Sequence, residues 1–506
     1  MDKITCKILS IILLSFIYFT NEHTLHSQKV KEIIIKEADS IVFNKNIANG
    51  ANRLLGNVEI IINRALMKCD SAYYYPEQRL VDAFNNVHIN RGDTLQLWGD
   101  YMQYSEVDSM IRVRDNVVLV NNNARLLTQI LNYNLETDVG YYPVKGEIFD
   151  GPNELVSRHG EFYTNIDMAL FSDSVVIHTP DYTIYSDSIK YDTKNKISYF
   201  LDSTHIINEE NHIKCERGWY NSQSKIFVIT QNAFMENKGR TLEGDSIYYN
   251  DNEKYGIARS NVTIADTTKN ILLKGNYAEY YQEPEKAYIT NRAQMIQIIE
   301  EDSLFLHADT IRLFTDSLEN RNILAYYHVK FYKSNMQGMC DSMFYSDKDS
   351  IIEFHREPVM WSGLNQLTAD YIEMIMKNGN IDHMNMLGLA FIGLKEDSAK
   401  YSQVKGKEMT GYFQDNELHL IDVKGNGQSV YYLKDEEEYI GVNVSICSNL
   451  KIYVKQRKPF VIKNLINPDA TLYPIEQAPQ SELIIEKFKW MGDSRPNKKE
   501  DIFVWK

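Results

Sequence analysis

Proline and glycine are scarce in this chain, 11 and 24 in 506 residues, and no low-complexity stretch marks a linker. A chain of this length has room for about two to four ordinary domains, yet nothing in its composition divides it, so one continuous architecture is expected. Positive charge is also short: 54 Lys and Arg against 69 Asp and Glu leave a net charge of −15. That balance argues against nucleic acid as a partner, because phosphate backbones are held by basic patches. Beyond Phe19 no apolar run is long enough to cross a bilayer as a helix. The signatures of common chemistries are missing as well: no G-x-S-x-G, no Walker loop and no dinucleotide fingerprint. His88, His159, His178, His307, His355 and His383 are scattered without a metal-ligand spacing such as H-x-x-x-H, and read as solvated or hydrogen-bonded strand histidines. The chain is expected not to be an enzyme and to use no cofactor and no metal.

What is present begins with a secretory signal. Lys3 and Lys7 lead into the apolar segment 8–19, which has the length and cationic lead of a signal peptide and is too short for a membrane span. Residues 1–27 are expected to form that signal, with cleavage after Ser27; an uncleaved anchor is the alternative, since Leu25-His26-Ser27 departs from a small-x-small site. Cys6 precedes the apolar segment, the wrong side for a lipid-modified cysteine. The 34 Tyr, with abundant Val, Ile and Thr, favour strands.

The body of the chain is repetitive. A small residue, an acidic one, an apolar residue two further on and an aromatic two beyond recur as Cys69-Asp70-Ser71-Ala72-Tyr73-Tyr74, Gly99-Asp100-Tyr101-Met102-Gln103-Tyr104, Ser186-Asp187-Ser188-Ile189-Lys190-Tyr191, Gly244-Asp245-Ser246-Ile247-Tyr248-Tyr249, Cys340-Asp341-Ser342-Met343-Phe344-Tyr345 and Ala369-Asp370-Tyr371. Weaker copies at Gln129, Arg158, Glu216, Asn276 and Asp309 give a period of about 29 to 33 residues and roughly fourteen copies. A second landmark, Asn-Val or its like, keeps phase about thirteen residues ahead of the acidic position, at Asn57-Val58, Asn86-Val87, Asn116-Val117, Ser174-Val175, Asn261-Val262 and His328-Val329. The flanks alternate as strands do. Val81, Ala83, Val87 and Ile89 share one face, as do Ile111, Val113, Val117 and Leu119, and Ala325, Tyr327, Val329 and Phe331. At the acidic landmark the phase slips, which predicts a bulge or corner in which the small residue fits a tight bend and the carboxylate bonds exposed backbone amides. Six carboxylates at one repeat position are therefore read as architecture rather than catalysis. Cys69, Cys215, Cys340 and Cys447 also share one repeat position, several rungs apart, and are expected to be buried free thiols.

The run Gly56-Asn57-Val58-x-Ile60, then Cys69-Asp70-Ser71-Ala72-x-Tyr74, then Val81-x-Ala83-x-x-Asn86-Val87-x-Ile89 resembles the OstA-like family of bacterial lipopolysaccharide transport, which includes a periplasmic bridge component and the N-terminal domain of an outer-membrane translocon. The resemblance covers residues 28–454 as serial copies. It implies an all-β fold, an elongated repeat array of the OstA-like β-jellyroll type or an open β-solenoid stack, with a groove for lipid acyl chains. It also implies a periplasmic, possibly outer-membrane-associated setting. The copies outnumber those expected of the bridge component, and only about fifty residues follow them, far short of a membrane barrel.

On that reading, the expected lipid-binding face follows the Asn-Val landmark: Val58, Ile60, Val87, Ile89, Val117, Leu119, Val262, Ile264, Val329 and Phe331. The expected partners are lipopolysaccharide or another lipid, other envelope transport components joined by edge-strand pairing at residues 56–62 or 442–454, and further copies of the chain. Residues 455–506, with Pro459, Pro468, Pro474 and Pro479, do not repeat; they read as a tail that docks a partner, covers the terminal rung or packs back on the last copies. The competing readings are a secreted solenoid that binds or cleaves polysaccharide and a structural spacer.

Overall fold

The computed structural model describes residues 33–505 apart from 44–49, 93–94, 122, 283, 300–301, 319, 379, 415–416, 436–437 and 456–457. The expected signal peptide and Cys6 lie outside the described residues, as do Glu436 and Glu437 of the acidic run Asp435–Glu438. Among the described residues there are 36 strands, paired antiparallel, and a few short 3-10 turns; the fold is all-β. The chain forms two compact units, one of Met1–Gly151 with Glu161–Asn165, the other of Pro152–Gly160 with Ile166–Lys506.

In the first unit the strands Asn52–Ile62, Ala65–Tyr75, Leu80–Arg91, Leu95–Ser105, Met110–Asn121 and Ala124–Asn134 each pair with the next in sequence order. Asn63 and Arg64, both left-handed, form the tight turn between the first two; consecutive positive φ values match the twist of a two-residue hairpin. In the second unit the same succession runs from Ile226–Asn237 through to Glu438–Lys455, with some strands divided in two, such as Ile351–His355 and Val359–Ser362.

The strands that carry the Asn-Val landmark are bent there, and the bend explains the repeat. On the Asn-Val strands two consecutive residues adopt left-handed φ: Asn85 at 60° and Asn86 at 50°, Asp115 at 63° and Asn116 at 52°, Ser260 at 58° and Asn261 at 54°. The ladder register shifts at the same places, between Phe84 and Val87 and between Arg259 and Val262. Asn and Asp occupy this conformation more readily than other side-chain-bearing residues, which is why the landmark is an asparagine. The bend residue is thus the Asn, and the small residue of the other landmark has a different task. A Cβ on Gly99 would meet Val113 Cγ1 at 2.3 Å, and one on Gly406 would meet Val423 Cγ1 at 2.4 Å, so the position is small because the next strand's side chain crosses it.

The two landmarks touch. Asn86 Nδ2 donates to Asp70 Oδ2 at 2.9 Å, Asn116 to Asp100 at 2.6 Å and Asn261 to Asp245 at 3.1 Å; His328 Nδ1 contacts Asp309 Oδ2 at 2.8 Å and Arg356 donates to Asp341 at 3.3 Å. The carboxylate pins the left-handed pair of the following strand through its side chain, where backbone amides were expected. The bulge also corrects one assignment: Tyr327 shares sequence parity with Ala325 and Val329 yet is 53% exposed, because it lies inside the bulge with His328 and is turned outward. Ala325, Val329 and Phe331 are buried as the alternation requires.

Strands continue past Val454. Lys458–Leu465 and Asp469–Pro474 pair with the two halves of Glu438–Lys455, joined by the left-handed pair Ile466 and Asn467. Pro459 and Pro474 sit near the ends of these short strands, where a missing N–H costs little. Residues 56–62 and 442–454, the expected edges, are accordingly paired on both sides: Asn52–Ile62 has Ala65–Tyr75 on one side and Ile33–Glu37 with Ser40–Phe43 on the other, and Glu438–Lys455 has Glu417–Asp435 on one side and the two strands just described on the other. The segment after Pro474 turns back over the second unit. Lys330, 3% exposed, donates to the carbonyls of Ser494 and Val504, and Trp505 lies over it.

Candidate functional site

The two halves of each bent strand form two facing walls, and in the second unit they enclose a cavity of about 310 Å³. Leu304, Met336, Met360, Leu367, Ile392 and Val404 come from half-strands on one side of the bends, and Ile352, Met374, Met384, Phe413, Ile421, Ile452 and Ile462 from the other. Polar groups gather where hairpins turn: Lys333 and Asn335 at one, Ser362 and Asn365 at another, Glu417 at a third. The middle is apolar and the rims are polar. The volume is about twice the ~150 Å³ at which an engineered apolar cavity already admits benzene, and it lies at the lower end of ligand pockets at about 300 to 1,000 Å³.

The ten positions expected to bind lipid lie elsewhere. Val58, Ile60, Val87, Ile89, Val117, Leu119, Val262, Val329 and Phe331 are all at most 3% exposed, Ile264 is half-buried, and none of the ten lines the cavity. Periodicity marks them as inward, and all but Ile264 are buried; what it does not carry is the distance to the opposite wall. The cavity residues were not singled out because alternation marks which face a residue takes, not where two faces stand apart. A signal was nevertheless present: nine of the 17 Met fall between Met336 and Met409. An unbranched thioether adapts to irregular space, so a wall rich in Met can fit more than one ligand shape.

Among the described residues no group of three or more His, Cys, Asp or Glu is placed to hold a metal ion. Cys69, Cys215, Cys340 and Cys447 are free and buried. Burial pushes the thiol of Cys69 up to about 11 and those of Cys215 and Cys340 up to about 12, so they stay protonated and unreactive at neutral pH.

Residues 30–187 and 183–245 match a family model described as OstA-like protein. Over these residues the chain is similar to the OstA-like family. No curated protein matches it. That family is one of β-jellyroll proteins of lipopolysaccharide transport. The OstA-like match ends before the cavity, but the architecture does not: the acid-to-partner bond recurs beyond it at Asp309 and Asp341. No helix among the described residues is long and apolar enough to cross a membrane.

Proposed function

We propose that this protein is an exported, periplasmic carrier that holds acyl chains of lipopolysaccharide or a chemically similar lipid in the cavity of its second unit, without covalent chemistry. The observation that carries this reading is an apolar, Met-walled cavity of about 310 Å³ between the sheet halves of an OstA-like chain. Each methylene moved from water into such a site contributes about 0.8 kcal/mol, so a few buried methylenes give useful affinity, while the rim at Lys333, Asn335 and Glu417 leaves a charged or hydroxylated head in water.

The transport role further calls for contact with other envelope components. The exposed apolar residues Ile41 and Phe43 near one end of the strand succession, and Phe460 and Leu472 near the other, suit edge pairing with a related sheet.

Native mass spectrometry and lipid extraction of protein from periplasmic expression test the carrier reading, together with photocrosslinkers at Ile392, Met384 and Val87. Lipid adducts at Ile392 and Met384 but not at Val87 are expected. Filling the space with Met384→Phe should raise stability by about 0.5 to 1 kcal/mol and reduce bound lipid. Protein that carries no lipid, with no adduct at either cavity position, would overturn the reading.

A further inference from the structure

The strands that wall the cavity are covered on their outer side by the chain's own C-terminal segment, and the fit is specific. Gln337, Trp361, Gln366, Gly393 and Gln403 are register partners in one row across five strands. The three glutamines are at most 3% exposed. Gln366 Nε2 donates to the carbonyl of Lys489 at 2.8 Å while its Oε1 accepts from the amide of Met491 at 2.6 Å. Gln403 brackets the segment in the same way, donating to Leu483 O at 2.9 Å and accepting from Ile485 N at 2.9 Å. Gln337 Oε1 accepts from Arg495 Nε and Nη2 at 2.8 and 2.6 Å. Between the glutamines, a Cβ on Gly393 would lie 2.7 Å from the ring of Phe488, so glycine leaves the notch that seats that ring. Beyond Gln403, Ala478 and Ile485 close over Phe391, Val430, Tyr432 and Val442.

Each anchor has a cavity residue beside it in sequence: Met336 beside Gln337, Leu367 beside Gln366, Ile392 and Leu394 beside Gly393, Val404 beside Gln403. Successive strand residues point to opposite faces, so the same strands meet the cavity with the neighbours of the row and the segment with the row itself, and Trp361 and Gln403 of the row also border the cavity. A wall that faces unfilled space forfeits dispersion contacts on that side, and the packing against residues 475–505 supplies contacts on the reverse. We propose that residues 475–505 are a strap that fixes the width of the cavity and thereby the acyl-chain length it accepts, making Gly393, Gln366 and Gln403 positioning residues for the ligand. This rests on the acyl-binding reading above.

The test uses displacement of 1-N-phenylnaphthylamine by saturated fatty acids of increasing length, with the full chain, a chain ending at Pro474, and Gly393→Leu. The full chain is expected to show a length optimum. Truncation and Gly393→Leu should flatten or shift that optimum, with affinity for the best ligand falling about tenfold, and a synthetic peptide of residues 475–505 should restore it to the truncated chain. Hydrogen exchange should rise in Asn380–Lys395 and Tyr401–Gln414 and stay unchanged in Leu80–Arg91. If truncation prevents folding, Gly393→Leu and Gln366→Leu decide by the same length profile. A full chain that takes up no probe rejects the cavity as a lipid site. A full chain with a length optimum that Gly393→Leu leaves in place rejects the strap alone.

Discussion

The strand Leu80–Arg91 and the strand Asn380–Lys395 follow one plan, with an inward-facing series on each side of a left-handed pair. In the first, Val81, Ala83, Val87 and Ile89 are sealed, and the pair is Asn85–Asn86. In the second, Met384 and Ala390 are sealed from solvent but Ile392 and Leu394 are half-buried, and the pair is Gly388–Leu389. The lengths differ too. The strand Leu80–Arg91 has 12 residues, whereas Asn380–Lys395, Glu417–Asp435 and Glu438–Lys455 have 16, 19 and 18. The walls of the first region are compact and sealed from solvent, whereas those around the cavity include the longest strands, are rich in Met, Leu and Ile, and are packed from outside by the terminal segment. A single topology therefore serves as packed core in one region and as a container in another, and the switch lies in strand length, side-chain shape and the covering strap rather than in alternation.

The largest expected effect breaks this comparison if it fails. Val87→Asp puts a carboxylate where there is no water and should cost several kcal/mol, unfolding the first unit. Leu394→Asp faces the cavity and should cost less than about 2 kcal/mol, because the carboxylate can be hydrated there, while displacement of the bound probe becomes weaker. Thermal unfolding followed by circular dichroism separates the two variants; equal losses would mean that both regions are the same kind of core.

A smaller effect concerns the bends. Asn86→Ala removes the bond to Asp70 and leaves a poor left-handed residue, which should cost about 1 to 2 kcal/mol. Leu389, at φ 45°, already occupies that conformation without a suitable side chain. Leu389→Asn should therefore stabilise the second unit by up to about 1 kcal/mol. Urea midpoints of the two variants check both signs.

Much of the fold was legible because it is local. The alternation around Val81–Ile89, the phase slip at Asp100 and the recurrence of the acid and Asn landmarks all lie within a repeat, and each survives in the structure. The bond between Asn86 and Asp70 could not be read from spacing alone, since two landmarks in fixed phase are equally compatible with separate tasks. Tyr327 was misassigned because parity is counted along the sequence, and a bulge consumes a residue without turning it inward. The cavity was invisible for a different reason. Alternation tells which side a residue faces but not how far away the opposite wall stands, and that distance depends on side-chain volumes many strands apart and on residues 475–505. The prolines of the terminal segment hid two further strands, because edge positions accept proline that a central strand would reject.

The last and smallest expected effect is a pH response confined to the far end of the strap. His307 is covered by Phe503, with ring centroids 4.8 Å apart, and its Nδ1 is 2.6 Å from the carbonyl of Ala293, geometry that suits an N–H donor. Burial holds this imidazole below the ordinary histidine value; Arg292 and His328 push the same way, while the Ala293 carbonyl and Asp309 oppose them. The folded protein therefore binds this proton less readily than the unfolded chain does. Stability from the neutral ring is fully present above the unfolded value and is lost as pH falls through about 6.5 toward the lower folded value. Since Phe503 is the group that covers the ring, the loss should appear first as release of the strap's last residues, seen as faster proteolysis after Lys498 or Lys499 and as a change in Trp505 fluorescence. His307→Gln should remove the response between neutral pH and about 5 while leaving the rest of the chain's acid unfolding in place. Strap release with the same midpoint in that variant would assign the effect to another group and leave His307 a packing residue.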